Sequence, residues 1–290
     1  MSEAGRSAPS TPEAGTPAPE RNGWLKDLGG YALAALAVLA VWTFVARPFY
    51  IPSESMMPTL IKGDRLVVTK FPYGYSYASP ALHILPFIPG RLFNRLPERG
   101  DVVTLDHDGE ELIKRVIGLP GDRVAVRGGT IILNGVPVPR RRETPAALPV
   151  DANLPCDTLL ESRFRTPDGH GGALCALPRY RETLPNGVSY DTIDMGDFGA
   201  EGYDDYPEIT VPAGHVFLMG DNRDESADSR VPPSNNGLGG PVRIETLGGR
   251  AEWITHSYDG RGALWNPVSW VTALRGGRAG TSLRPQQAAK

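Results

Sequence analysis

The feature that most constrains this chain is an unbroken apolar run, Leu28–Ala46 (LGGYALAALAVLAVWTFVA), which holds 19 residues without a charge. Wound as a helix it would reach roughly 28 Å, enough for a bilayer's hydrocarbon core. Trp42 and Phe44 lie towards one end and Arg47 closes it. A buried core helix or a cleavable signal peptide would show a similar run. The signal peptide is disfavoured by the polar 27 residues ahead of it. Cleavage after Ala46 would also put bulky Phe44 where a small residue is wanted. The expectation is a retained transmembrane helix over 28–46. Its orientation is weakly marked, because Arg21 and Lys26 precede the run and Arg47 follows it, and long following domains translocate largely regardless of charge. Residues 1–27, rich in Ala, Pro, Ser, Thr and Glu, cannot bury a core and read as a disordered tail.

After the run, the 34 Gly and 28 Pro of the chain favour short strands joined by turns over long helices. Strands are expected at Arg65–Lys70, Asp101–Leu105, Leu112–Ile117, Arg123–Val126, His215–Met219 and Ala251–Thr255, and a hairpin at Ile131–Leu133 and Val136–Val138 around Asn134-Gly135. This is an all-β pattern. Phe71–Phe93, apolar and Pro-rich, reads either as a loop packed on the core or as a surface that dips into lipid. Pro139–Thr210 contains both cysteines and many turn residues and reads as an inserted subdomain; 276–290 reads as a mobile tail. Thirty basic against 33 acidic residues, with no Lys/Arg block, argue against a nucleic-acid partner. Two cysteines without a CxxC or a Cys/His cluster argue against a structural metal, and nothing calls for a cofactor.

Three segments carry chemistry. Pro52–Leu60 (PSESMMPTL) begins six residues after the apolar run; alone it also reads as a Ser-capped turn. Lys114, in ELIKRVIGLPGD (111–122), would point opposite to Ile113 and Arg115 on a strand. Most strand lysines are solvated, but an inward one must be neutral or paired. Gly220–Arg230 (GDNRDESADSR) reads as a polar loop, and its carboxylates at 221, 224, 225 and 228 miss the spacing of an EF-hand.

Taken together, PSESMMPTL, GDRLVVTK (63–70), IKRVIGLPGD (113–122) and GDNRDESADSR, in this order after a membrane span, resemble the type I signal peptidases, Ser/Lys proteases that remove signal peptides from exported proteins. The resemblance implies a mostly β fold: a signal-peptidase-like catalytic sheet in an extracytoplasmic domain (47–275), with a smaller β subdomain inserted at 139–210, preceded by one transmembrane helix. By position it implies Ser55 as nucleophile, Lys114 as general base, and Ser53 with the Ser55 N–H as the oxyanion hole. Ser226 would orient the lysine amine and Asp228–Arg230 would support that loop; Asp221 and Arg223 match as structural residues. Phe49, Ile51, Pro52, Leu60 and Ile113 would line shallow pockets for small residues before the cut, as in Ala-X-Ala sites. A substrate in extended form could pair with a strand edge.

The assignment has a physical requirement. A lysine near pKa 10.4 must be depressed by roughly 2–3 units to serve as a base near neutral pH, at a cost of about 3–4 kcal/mol, and burial among Ile113, Val116 and Ile117 could supply that. The Asp228–Arg230 pair is expected to avoid placing negative charge beside Lys114. The five histidines, His83, His107, His170, His215 and His256, lie in no catalytic setting, and His107 and His170 read as loop residues.

The implied partners are signal peptides and the lipid bilayer. The implied location is the plasma membrane, single-pass, with the N-terminus in the cytoplasm and the catalytic domain outside. Cys156 and Cys175 would then lie in an oxidising compartment, where a disulfide is expected and free thiols are the alternative. Trp265 and Trp270 (LWNPVSWVTALR) suit either interfacial anchoring or core packing. A self-cleaving repressor-type Ser/Lys protease would want a DNA-binding domain where this chain has the apolar run. A binding-only homologue would have lost Ser55 or Lys114.

Overall fold

The computed structural model describes residues 23–79, 90–263 and 265–287. The chain divides into two compact units, residues 1–39 and 40–290. In the first, the described residues are helical, part of α1 (Gly23–Phe44), whose stretch Asp27–Phe44 is long and apolar enough to cross a membrane. The helix differs from the expected 28–46 at both ends. It starts within the expected tail, of which residues 1–22 lie outside the described part, and stops before Val45. The stop has a local cause: Pro48 biases Arg47 towards extended backbone, so Ala46 already belongs to a strand.

From Ala46 on, the described residues are β with one short α-helix and a few 3-10 turns. The strands in order are β1 (Ala46–Tyr50), β2 (Asp64–Thr69), β3 (Val102–His107), β4 (Glu110–Gly118), β5 (Arg123–Arg127), β6 (Thr130–Leu133), β7 (Val136–Pro137), β8 (Arg140–Pro149), β9 (Arg165–Pro167), β10 (Ala173–Thr183), β11 (Val188–Ile193), β12 (Tyr206–Thr210), β13 (His215–Met219), β14 (Val242–Arg243), β15 (Leu247–Ser257) and β16 (Gln286–Gln287). All the strands expected from pattern are present. At the β6–β7 turn, Asn134 and Gly135 adopt φ 55° and 80°, the left-handed pair that an Asn-Gly hairpin requires.

The strands form three sheets. The largest has the order β1-β2-β15-β3-β4-β13-β14, a second is β12-β5-β6-β7, and a third is β16-β11-β10-β8 with β9 on β10. β3 pairs over its whole length with the first six residues of β4, from His107 opposite Glu110 to Val103 opposite Lys114 and Val102 opposite Arg115. β13 reaches only as far as Met219 opposite Arg115. Residues 110–114 of β4 therefore have no strand beside them on that edge among the described residues.

The insertion at 139–210 supplies β8–β11 of the third sheet, but its last strand, β12, pairs with β5 in the neighbouring one. Cys156 and Cys175 form a disulfide, with Cα atoms 5.9 Å apart, packed with Met57, Ile61, Leu177 and Ile193. The expected mobile tail is docked through Gln287. Leu283 is buried with Ile51, Leu66 and Ile254, Arg278 pairs with Asp64, and β16 pairs with β11. One apolar side chain and two buried carboxylate partners, Asp64 and Glu252, outweigh the Gly-rich composition. Residues 288–290 lie outside the described part. Trp265 is 91% exposed and Trp270 48% exposed, beside or within α2 (Pro267–Thr272), so neither is a core residue. Of Phe71–Phe93, residues 80–89 are outside the described part; Tyr73 is buried in the core and Phe93 is exposed.

Candidate active site

The loop after β1 is held by two consecutive methionines that enter different cores. Met56 packs with Ile51, Leu60 and Leu66, while Met57 packs with Ile61 and the disulfide. Between these anchors and the exposed Ser53, Ser55 is left with its side chain at the floor of a cleft of about 550 Å³ that Lys114 also lines. Dense packing on both sides leaves the loop little freedom.

Lys114 Nζ lies 2.9 Å from Ser55 Oγ, although 59 residues separate the two in sequence. Both faces of β4 are covered here: Ile113, Lys114 and Arg115 are all buried. The opposite face holds Arg115 against Asp221 at 2.6 Å and over the Tyr190 ring. Burial is the main reason that the Lys114 amine is pushed down to about 8; Asp228 and Asp221 pull it up and Arg230 pushes it down. Thus the negative charge of Asp228 is felt by the amine, contrary to expectation, and desolvation overcomes it.

The loop 220–230 closes the site from the other side. Burial opposes ionisation of Asp228, but Arg230 and the N–H groups of Gly220 and Arg230 hold its carboxyl below the usual value. The Arg230 guanidinium donates to both Asp228 oxygens, at 3.0 and 2.9 Å. Arg223 makes a buried two-point contact with Glu182 at 2.8 and 2.6 Å. Asn222 N–H donates to the Ser55 carbonyl at 3.1 Å, tying this loop to the first. Gly220 is required by close approach: a Cβ there would sit 2.1 Å from Ser226 Oγ and 2.5 Å from the Ser55 carbonyl oxygen.

Not every expected contact is made. Ser226 Oγ is buried beside Gly220 with no hydrogen-bond partner among the described residues, so it does not bond the Lys114 amine. Ser53 Oγ stands 3.4 Å from Ser55 Oγ. The Ser55 N–H donates no hydrogen bond among the described residues. Ile51, Leu60 and Ile113 are core residues, with Phe49 packed against them, while Pro52 is exposed; none of the five lines the 550 Å³ cleft. The lining instead includes Leu112, His107, Asp108, Glu110, Glu225 and Ala227. Leu112 was recoverable from the period-two pattern that ends on Lys114; Glu225 and Ala227 flank Ser226. His107 is the last residue of β3 rather than a loop residue. Among the described residues no His/Cys/Asp/Glu group could hold a metal ion.

A serine hydroxyl held against a buried, readily deprotonated amine at the floor of an open cleft is the arrangement of a serine hydrolase with lysine in place of histidine. The family model for signal peptidase, peptidase S26, matches residues 24–256. Signal peptidase I of Rickettsia typhi is 31% identical over 240 residues, covering 80% of each chain. That of Rickettsia felis is 30% identical over 214 residues, 71% of this chain and 72% of its own. The crystal structure of a signal peptidase I from Enterococcus faecalis matches with a TM-score of 0.28 and 22% identity, over 54% of this chain and 97% of that one. The chain belongs to the signal peptidase I family, peptidase S26, and is a serine endopeptidase of that activity. The family is membrane-bound and its substrates are the signal peptides of preproteins.

Proposed function

We propose that Ser55 is the nucleophile and Lys114 the general base of this peptidase. The observation that carries the reading is the 2.9 Å contact between Ser55 Oγ and a fully buried amine whose pKa lies near 8. In its neutral form the amine accepts the Ser55 hydroxyl proton as Oγ attacks the scissile carbonyl. The tetrahedral oxyanion is received by the free Ser55 N–H and the Ser53 hydroxyl. The lysinium then gives its proton to the departing amine, the C–N bond breaks, and an acyl-enzyme remains on Ser55. Lys114 next takes a proton from water, which attacks the acyl carbon; the bond to Ser55 Oγ breaks, the lysinium returns the proton to Oγ, and the new carboxyl group is released.

The remaining residues act by holding this pair. Asp228–Arg230 keeps the 220–230 loop in place. Ser226 carries a buried, unsatisfied hydroxyl, which is costly to leave so; the amine uses one of its bonding directions on Ser55, and Ser226 is the group assigned to fix another during turnover. The substrate is read as an extended segment adding to the free edge of β4 at residues 110–114. Ile51, Leu60, Ile113 and Phe49 fill the core beneath the loop, which suits small side chains before the cut. The apolar helix α1 is read as the single membrane anchor, with the peptidase domain on the outer face of the plasma membrane and the disulfide in its oxidising compartment.

The test is cleavage of a preprotein in detergent by the wild type, Ser55→Ala, Lys114→Ala and Lys114→Arg. All three variants are expected to lose activity, Lys114→Arg because guanidinium stays charged. Wild-type rates in any of them would sink the mechanism.

A further inference from the structure

The cleft around the Ser55–Lys114 pair is strongly one-signed. Asp108 and Glu110 line it from the β3–β4 turn, and Glu225 lines it from the facing loop. The lining groups able to carry positive charge are His107 and Lys114, and Lys114 must be neutral to act as a base. Arg47 pairs with Glu111, whose side chain alternates to the other face of β4. Local structure sets the position of two of the three carboxylates. Asp108 (φ 53°) and Gly109 (φ 83°) form the tight turn of the hairpin, which projects the 94% exposed Asp108 side chain, 3.9 Å from His107 Nε2. Glu225 is fixed from the inserted sheet's side by the Thr158 hydroxyl, which donates to Oε1 at 3.0 Å.

Register ties these charges to the bond being cut. Glu110, Leu112 and Lys114 are alternate residues of one strand, and all three line the cleft. At about 3.4 Å per residue, Glu110 stands roughly 14 Å along the strand from the catalytic amine. A substrate strand added to this edge pairs residue for residue, so the side chain opposite Glu110 is about four residues from the one opposite Lys114.

We propose that Asp108, Glu110 and Glu225 act as an electrostatic filter that selects peptides carrying a basic residue about four positions from the scissile bond and disfavours an acidic residue there. This rests on the strand-addition reading given above. A unit charge about 7 Å from a carboxylate in a largely aqueous cleft changes binding by a few-fold, and two or three carboxylates acting together raise that to about tenfold at low salt. A net charge of −3 on the whole chain would give a general bias; the filter differs in depending on where along the substrate the charge sits.

The experiment uses the full-length enzyme in detergent and a neutral Ala-X-Ala peptide in which Lys, Gln or Glu is placed singly at each of the five positions on either side of the cut. The expected result is that Lys exceeds Glu about tenfold in kcat/KM about four residues from the bond, carried by KM, at about 20 mM salt, with the ratio falling towards one at about 1 M salt. In Asp108→Asn/Glu110→Gln, and separately in Glu225→Gln, the Lys-to-Glu ratio is expected to shrink. Because the ratio is taken within each variant, a change in folded fraction cancels. Equal turnover of Lys and Glu peptides at every position, or a ratio that survives undiminished in both variants, would overturn the filter. Failure of the neutral peptide itself to be cut would instead count against the cleavage reading.

Discussion

Two lysines of this domain are buried, and they have been put to different use. Lys70, at the end of β2, is fully buried; burial, with Arg47 and Arg91 nearby, lowers its amine to about 7. Lys114 is 3% exposed and is lowered, again chiefly by burial, to about 8. By pKa alone, both amines are available in the neutral form near pH 8. The Lys70 Nζ, however, has no hydrogen-bond partner among the described residues, whereas that of Lys114 touches Ser55 Oγ and faces a cleft. A depressed pKa makes an amine available; a proton within reach and room for substrate make it a base. The carboxylates near Lys114 even work against its neutrality, and it tolerates them because Asp228 is already engaged by Arg230.

Replacing each lysine with methionine separates the two roles most directly. Lys114→Met is expected to lower kcat/KM by at least ~10³-fold, while Lys70→Met stays within about threefold of wild type; comparable losses in both would remove the distinction. Next comes Gly220→Ala, whose Cβ would collide with Ser226 Oγ and the Ser55 carbonyl. Even a displacement of about 1 Å at such a site costs ~10²-fold, read as a fall in kcat with the fold retained by circular dichroism.

Stability offers the third test, and here the two lysines should behave alike. Each folded pKa lies below its unfolded value, so the folded state is penalised in full below the folded pKa. The penalty is relieved as pH rises towards about 10.5. Both methionine variants should therefore be more stable than wild type at pH 6, by up to about 3 kcal/mol for Lys114, with the gain vanishing in alkali. Denaturant titrations at the two pH values measure this. The smallest expected effect is on the pH–rate profile. Wild-type kcat/KM should rise with pH to a plateau above about 8, and Asp228→Asn, by removing a charge that raises the amine, should move that rise to lower pH. A shift to higher pH would contradict the stated balance of charges.

The strand pattern was legible because each expected segment alternates or is short, apolar and bounded by turn residues. The turn of the β6–β7 hairpin could be placed at Asn134-Gly135, with the strand ends off by one residue. The third sheet was less legible. β8 (RRRETPAALP) and β10 (ALCALPRYRET) carry as many charges as a loop, and their arginines are satisfied by partners such as Asp191, Asp194 and Glu143. The docking of the C-terminal segment rests on Leu283 and on arginines whose partners, Asp64 and Glu252, lie far off in sequence. The lining of the cleft was not legible for a similar reason. Ile51, Leu60 and Ile113 are apolar and adjacent to the dyad in sequence, but sequence cannot say whether an apolar side chain faces a cleft or the core beneath it.

What the sequence determined by itself was chemical inventory and local form: an apolar helix, a run of short strands, and a serine, a lysine and an acid–arginine loop in a recognisable order. Those follow from neighbours within a few residues, where covalent connection limits the choices. What only the tertiary structure decided was the meeting of Ser55 with Lys114, the depth at which burial outweighs Asp228, the open edge of β4, and the sign of charge around it. These are sums over groups brought together from distant parts of the chain, and both desolvation and Coulomb interaction depend on distance through space rather than along the backbone.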